Sequence, residues 1–136
     1  MSARSKARKR ALDVLYEAEQ REIAPLAMLQ ERSTDTEYPM RAYAAEIVQG
    51  VAAHQDEIDE YLETYSQGWS LQRMPAVDRA ILRVGAWEVL YNDDVPDKVA
   101  LDEAVDLARL VSTDESPNFV NGLLGRIMDL KPSLGL

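Results

Sequence analysis

The sequence predicts an all-α fold, a compact bundle of about six to seven helices arranged as two helical halves that meet near residue 70. Apolar residues recur at helical spacing along most of the chain, and no segment shows the period-two alternation typical of a strand. Leucine, alanine and glutamate are abundant, whereas glycine and proline number only six each, which favours helices. The 136 residues, 46% of them hydrophobic, are enough for one continuous core, so we expect a single domain over residues 1–136.

Three helices are predicted in the first half of the chain. The first covers residues 5–21 and carries an apolar stripe along one face. The second begins at Pro25, because proline suits the first turn of a helix. After the loop STDTEYP, the third helix covers residues 39–65 and contains Gly50. Since a glycine inside a helix costs about 1 kcal/mol relative to alanine, Gly50 indicates a close approach by another helix.

Three more helices are predicted after the break at SQGWSLQRMP. The fourth covers residues 75–91, and Arg83 within it is a candidate for an internal ion pair. The turn NDDVPD separates it from the fifth helix, at residues 98–111. The sixth follows the loop STDES, with Ser116 expected as its N-cap because a serine side chain can accept a hydrogen bond from the first turn.

The charge of the chain is unevenly distributed. The formal net charge is −9, yet five of the first ten residues are basic and none is acidic. On a helix, Arg4 and Arg8 lie on the side of the apolar stripe, whereas Lys6, Lys9 and Arg10 lie on the solvent side. Because arginines are not buried unpaired, we expect the first two turns to overhang the body or to become ordered only on binding a partner.

This basic arm, residues 1–10, admits two interpretations. A cationic segment on an acidic body is well placed to contact phosphate, and arginine-rich segments often fold upon RNA. The alternative is a solubilising tail, and composition alone weighs the two about equally. A DNA-reading helix is less favoured, because the sequence shows no helix-turn-helix spacing and no second basic helix.

Several classes of protein are disfavoured by the composition. The chain has no cysteine, which excludes disulfides, zinc–thiolate sites and cysteine nucleophiles. The basic start is not a secretory signal, since Asp13, Glu17 and Glu19 interrupt what would be its apolar region. No apolar run is long enough to span a bilayer. We therefore expect a cytoplasmic protein with no membrane partner.

The sequence shows no constellation of catalytic residues. The single histidine, His54, is interpreted as a surface residue of the third helix. The motifs HExxH, GxGxxG, GxSxG and the phosphate-binding loop are all missing. Paired acids such as Asp93–Asp94 lie in turn-like segments, where turn and cap roles explain them. We expect no enzymatic activity, no cofactor and no metal site.

Three segments of the C-terminal half carry a resemblance to a known family. They are AILRVGAWEVL, DVPDKVALDEAVDLAR and SPNFVNGLLGRI, in this order and with matching spacing. Together with the N-terminal ARKRALDVLYEAEQ, they resemble the NusB family of bacterial transcription antitermination factors over nearly the full length. The chain departs from the family pattern at three positions that reduce its RNA-facing charge or polarity: Ser5, Asp102 and Asn118.

The resemblance implies an all-α fold of two small bundles and a function without catalysis. NusB-like proteins bind single-stranded boxA RNA of ribosomal RNA leader transcripts together with the ribosomal protein NusE. The complex joins RNA polymerase through other Nus factors and suppresses premature termination. An acidic body agrees with this role, because ribosomal proteins are generally basic.

The resemblance also implies site residues. The expected RNA contacts are Arg4, Lys6, Arg8, Lys9, Arg10, Tyr16, Glu115, Asn118, Phe119 and Asn121. Tyr16 and Asp78 are the expected contacts with NusE. Phe119 could stack on a base or pack in the core, and Asn121 with Gly122 could exist only to let two helices approach.

Three further possibilities accompany the resemblance. A scaffold that binds NusE without binding RNA is the main alternative function. NusB-like domains also precede ribosomal RNA methyltransferases, a reading disfavoured here because residues 1–136 leave no room for a methyltransferase. The family contains monomers and dimers, so a homodimer that buries the basic arm would regulate RNA binding.

Overall fold

Six α-helices make up the fold in a computed structural model that describes residues 1–136. They are α1 (Ala3–Gln20), α2 (Pro25–Arg32), α3 (Ala42–Tyr65), α4 (Ala76–Tyr91), α5 (Asp97–Val111) and α6 (Ser116–Leu130), with short 3₁₀ turns at Leu71–Arg73 and Lys131–Ser133. There is no strand. The predicted all-α class is confirmed, and the predicted helix ends lie within three residues of the observed ones.

The helices form two groups that share one core. Helices α1, α2 and α3 pack on one another, as do α4, α5 and α6. Helix α4 also packs against α1 and α3, and eleven of its sixteen residues are buried. A helix that is buried on most of its sides lies in the interior of the fold. Helix α4 is therefore the central element that joins the two predicted halves.

Gly50 lies where α3 meets α4. A Cβ atom at Gly50 would lie only 2.0 Å from the indole Nε1 of Trp87, so no larger residue fits without a shift. The close helix approach predicted from this glycine is confirmed. The indole of Trp87 occupies the space that a side chain at residue 50 would need.

Helix α3 is kinked at His54, whose backbone angles of φ −122° and ψ 16° are not helical. The imidazole stacks on the ring of Tyr91 at the end of α4, with ring centroids 3.9 Å apart and planes 9° from parallel. The hydroxyl of Tyr91 donates to Glu57 at 2.7 Å. The sequence pattern predicts a plain surface residue here, and the structure adds a contact between two helices.

None of the helices is both long and apolar enough to cross a membrane. No group of histidine and acidic side chains is arranged to hold a metal ion.

Candidate RNA interface

The basic arm is a folded part of α1. Ser2 caps the helix by accepting a hydrogen bond from the amide of Ser5 at 3.0 Å, and α1 begins at Ala3. The hydroxyl of Ser5 donates to both carboxylate oxygens of Glu103 on α5, at 2.9 and 3.0 Å. The expectation that the first two turns overhang the body is therefore wrong, because α5 holds the start of α1 against the fold.

Arg8 is the centre of a buried ion pair. Its Nε and Nη2 donate to the two carboxylate oxygens of Glu88 at 2.7 and 2.9 Å, and the two side chains are 3% and 1% exposed. A second carboxylate, Glu103, lies 3.6 Å from Nη1. The hydroxyl of Tyr43 donates to Glu88 at 2.5 Å. This fork geometry is the strongest form of arginine–carboxylate pairing, and it explains why a core position accepts a cation.

The protonation states at this pair follow from its surroundings. Burial by itself would lower the pKa of Arg8, but the hydrogen bonds and charge of Glu88 raise it overall, so the guanidinium stays charged. Burial raises the pKa of Tyr43 well above its usual range, and its hydrogen bond to Glu88 acts in the same direction. The tyrosine hydroxyl therefore keeps its proton and donates it to the hydrogen bond with Glu88.

Arg10 also departs from its predicted position. The helical wheel places it on the solvent side, but the residue is only 8% exposed. Its guanidinium lies 4.2 Å from the ring centroid of Tyr38, and its Nη2 donates to the carbonyl of Tyr38 at 3.3 Å. The reason is that the chain before α3 folds back over this side of α1, which a helical wheel does not describe.

The freely presented cations of the arm are Arg4 and Lys6. Both residues are exposed and neither forms an ion pair. The guanidinium of Arg4 lies 4.3 Å from the ring centroid of Tyr43, a contact that orients it without neutralising it. Lys9 is partly exposed and pairs with Asp13 at 2.7 Å. Tyr16, 38% exposed, lies seven residues after Lys9 and so shares its face of α1.

Asp78 on α4 holds the start of α6 in place through hydrogen bonds. Its carboxylate accepts hydrogen bonds from Ser112 at 2.5 Å and from Ser116 at 3.0 Å, and Asp78 is 3% exposed. The predicted N-cap role of Ser116 is wrong, since Ser116 is the first helical residue and Glu115 occupies the cap position. Asp78 therefore fixes the loop between α5 and α6 onto α4, while its contact with a partner remains a prediction.

A cleft of about 640 Å³ lies beside the start of α6. Its walls include Trp69 and Phe119, whose ring centroids are 6.4 Å apart in an edge-to-face arrangement. Phe119 is half-buried, whereas Trp69 is 54% exposed. Arg73 and Glu115 supply charge at the same cleft. The sequence pattern did not single out Trp69, although an aromatic residue in a break rich in polar residues was a usable signal.

Asn118 and Asn121 lie on the other side of the start of α6. Both are exposed and line a shallow cleft of about 390 Å³, shared with Asp102 and Arg109 of α5. Because the adjoining Glu103 contacts the start of α1, both the arm and the two asparagines border α5. The predicted residues thus form two areas joined by α5, with Glu115 and Phe119 at the aromatic cleft.

A separate ion network ties α1 to α3 and α4. Arg83 pairs with Asp59 and with Glu19, each at 2.9 Å, and Arg79 also pairs with Glu19. The hydrogen bonds from Arg79 lower the pKa of Glu19 most; partial burial opposes the shift and the hydrogen bonds of Arg83 add to it. The internal ion pair predicted for Arg83 is confirmed.

Comparisons with known proteins agree with this fold. The model of the NusB family matches residues 5–129. A transcription antitermination protein NusB of Arthrobacter sp. (strain FB24) is 64% identical over 134 residues, which cover 98% of either chain. A NusB of Beutenbergia cavernae is 64% identical over 144 residues, covering 98% of this chain and 94% of that one.

Solved structures resemble the fold over nearly the whole chain. A NusB of T. maritima superposes with a TM-score of 0.82 at 30% identity, covering 94% of this chain and 92% of that one. A chain from a crystal structure of the antitermination factors NusB and NusE in complex with double-stranded RNA gives a TM-score of 0.81 at 27% identity, covering 93% and 96%. By sequence and by fold, the chain belongs to the NusB family.

Proposed function

We propose that this protein is a transcription antitermination factor that binds single-stranded boxA RNA of ribosomal RNA leaders together with the ribosomal protein NusE. The complex joins RNA polymerase through other Nus factors and suppresses premature termination. The observation that carries the proposal is the cationic start of α1, where Arg4 and Lys6 are exposed and unpaired on an otherwise acidic protein. No covalent chemistry is part of this function.

The start of α1 supports RNA binding because it is held in place before RNA arrives. The buried pair between Arg8 and Glu88 and the contact between Ser5 and Glu103 fix the first two turns. A preorganised site loses less conformational entropy on binding than a disordered arm does. Arg4 and Lys6 are the direct phosphate contacts in this proposal, and Arg8 positions them.

The start of α6 supplies the second RNA area. Trp69 and Phe119 offer aromatic surface on which unpaired bases stack, an interaction worth about 1–3 kcal/mol per base. Asn118 and Asn121 are exposed and offer donors and acceptors to base edges. Glu115 at the N-cap position lies at the rim of the aromatic cleft.

The acidic surface suits the basic partner NusE. Without its first ten residues the chain carries 24 acidic against 10 basic side chains. Complementary charge speeds the association of two proteins. Tyr16, exposed on α1, is the proposed direct contact. Asp78 is the second proposed NusE residue, and its hydrogen bonds hold the loop before α6 onto α4. A NusB of similar fold has been crystallised with NusE and double-stranded RNA.

In this function residues 1–136 act as one domain, and the basic arm, residues 1–10, includes the first turns of α1. As a factor that acts on transcripts in bacteria, the protein works in the cytoplasm. Its role is regulatory and non-catalytic.

Fluorescence anisotropy of a labelled boxA RNA tests the proposal, with a scrambled RNA as control and with and without NusE. We expect selective binding that strengthens with NusE and weakens in the Arg4→Ala/Lys6→Ala variant. The two phosphate contacts of Arg4 and Lys6 predict a slope of about −1.4 for log affinity against log salt concentration on a single strand. Arg21→Ala, which removes an exposed charge at the far end of α1, is the matched control.

Two results would overturn the proposal. Capture of NusE without binding to either RNA would identify a protein scaffold. Equal binding to boxA and scrambled RNA, with an unchanged affinity in Arg4→Ala/Lys6→Ala, would show that the start of α1 does not recognise RNA.

A further inference from the structure

A second cationic cleft lies between the start of α1 and the segment that leads into α3. It has a volume of about 410 Å³. Four of its eight lining residues are cations, namely Lys6, Lys9, Arg10 and Arg41, and none is acidic. Arg4 does not line it. In a protein of net charge −9, such a local excess of positive charge favours an anionic ligand.

Most of this charge is not neutralised within the chain. Lys6 and Arg41 form no ion pair, and Lys9 alone has a carboxylate partner, Asp13. Arg10 as a residue is nine-tenths buried, and its guanidinium makes one hydrogen bond, to the carbonyl of Tyr38. Its Nε is buried without an acceptor. A buried cation that lacks a carboxylate is costly, and an anion in the cleft would offset that cost.

The wall of the cleft also suits a nucleotide base. The ring of Tyr38 is covered on one face by the guanidinium of Arg10, 4.2 Å from its centroid, and the residue remains 49% exposed. About half of this tyrosine is therefore open to solvent and offers ring surface to a base. An aromatic ring beside several phosphate donors is the combination that single-stranded nucleic acid binds.

We propose that this cleft binds a phosphodiester of single-stranded RNA flanking the boxA segment, with the adjoining base stacked on Tyr38. The proposal rests on the proposed function, which supplies the RNA, and it adds a contact on a different side of α1. Lys6 belongs to both RNA-binding surfaces, because it is an exposed cation at the start of α1 and also lines the cleft. Arg41 and Tyr38 become RNA-binding residues, and the sequence pattern indicated neither of them.

The first test compares two RNAs, boxA alone and boxA extended by six nucleotides at both ends. Arg41→Gln is the informative variant, since its side chain has no ion-pair partner whose loss would disturb the fold. We expect it to weaken binding of the extended RNA about five-fold and to reduce the salt slope by about 0.7, the value for one phosphate contact on a single strand. Binding of boxA alone should be unchanged.

Matched variants separate the cleft from general charge. Arg21→Gln removes the same charge from an exposed site at the other end of α1 and should leave both affinities and the salt slope unchanged. Tyr38→Leu should weaken the extended RNA at least five-fold by removing the stacking face. An unchanged affinity for the extended RNA in Arg41→Gln, or equal losses with both RNAs, would overturn the proposal.

A second measurement does not depend on boxA recognition. Amide signals of Tyr38, Met40 and Arg41 are followed by NMR during titration with uridine 5′-monophosphate and, separately, inorganic phosphate. We expect shifts with both probes, stronger with the nucleotide and lost in Arg41→Gln. If neither probe shifts these signals, the proposal that the cleft binds RNA is overturned, even where boxA binds through Arg4. If the signals shift but boxA does not bind, only the proposed function is overturned.

Discussion

Replacing Arg8 with methionine should lower the melting temperature of the protein strongly, although Arg8 belongs to a basic N-terminal segment. Arg8 and Glu88 are 3% and 1% exposed and form two hydrogen bonds. Methionine leaves the carboxylate of Glu88 buried with Tyr43 as its remaining donor. Removing one partner of a buried pair costs about 3–5 kcal/mol.

The expected shift in melting temperature follows from the length of the chain. An unfolding entropy of about 2.1 cal/mol/K per residue converts each kcal/mol into about 3.5 °C for a protein of this size. The melting temperature of Arg8→Met should therefore fall by about 10–17 °C. Thermal unfolding followed by circular dichroism at 222 nm measures it.

Two further variants serve as controls for Arg8→Met. Arg4→Met removes a neighbouring, exposed cation and should shift the melting temperature by no more than about 2 °C. Arg8→Met combined with Glu88→Gln removes both charges and should recover part of the loss, since the uncompensated charge is gone. A single variant as stable as the wild type, or a double variant whose losses simply add, would refute the buried pair.

Three other perturbations test separate features. Gly50→Ala should lower the free energy of unfolding, measured by urea denaturation, by about 1–3 kcal/mol, because its Cβ would lie 2.0 Å from Trp87 Nε1; an unchanged free energy of unfolding would contradict the close packing of α3 on α4. The hydrogen bonds of Arg79 lower the pKa of Glu19, so this pairing contributes stability above the usual glutamate pKa of about 4.3 and loses it as the pH falls through the lowered value. Glu19→Gln should therefore reduce the melting temperature at pH 7 more than at pH 3, and equal reductions at both would argue against that pairing. Phe119→Ala should weaken boxA binding about five-fold or more while NusE is still captured, and a parallel loss of both would point to a folding defect instead.

The helices were predictable because local patterns specify them. Apolar periodicity and prolines at helix starts located all six helices, and each helix end that was predicted lies within three residues of the observed one. Gly50 was informative for the same reason, since a glycine inside a long helix has few explanations besides close packing. Arg83 was identified as an internal ion-pair residue from its place in a core helix.

The arrangement of the arm was not predictable from local patterns. Its position depends on Glu88 and Glu103, which lie 80 and 98 residues away in the sequence from their partners Arg8 and Ser5. A helical wheel shows that Arg8 faces the core but not which carboxylate meets it. The burial of Arg10 likewise depends on the segment before α3. Neither arginine is buried without a polar partner, as expected. The identity of those partners, Glu88 for Arg8 and the carbonyl of Tyr38 for Arg10, is what the helical wheel could not show.

The distance in sequence between Arg8 and Glu88 has a consequence for how the protein is made. At a synthesis rate of about 5–20 residues per second, the ribosome completes α5 roughly 5–20 s after α1. Glu88 and Glu103 are made only within this interval, so the early nascent chain has no carboxylate that can hold the start of α1. The arm is first a loose polycation, and it acquires its binding geometry only when the body behind it has folded. The geometry that we propose for RNA binding thus forms late in translation, after most of the chain has been made.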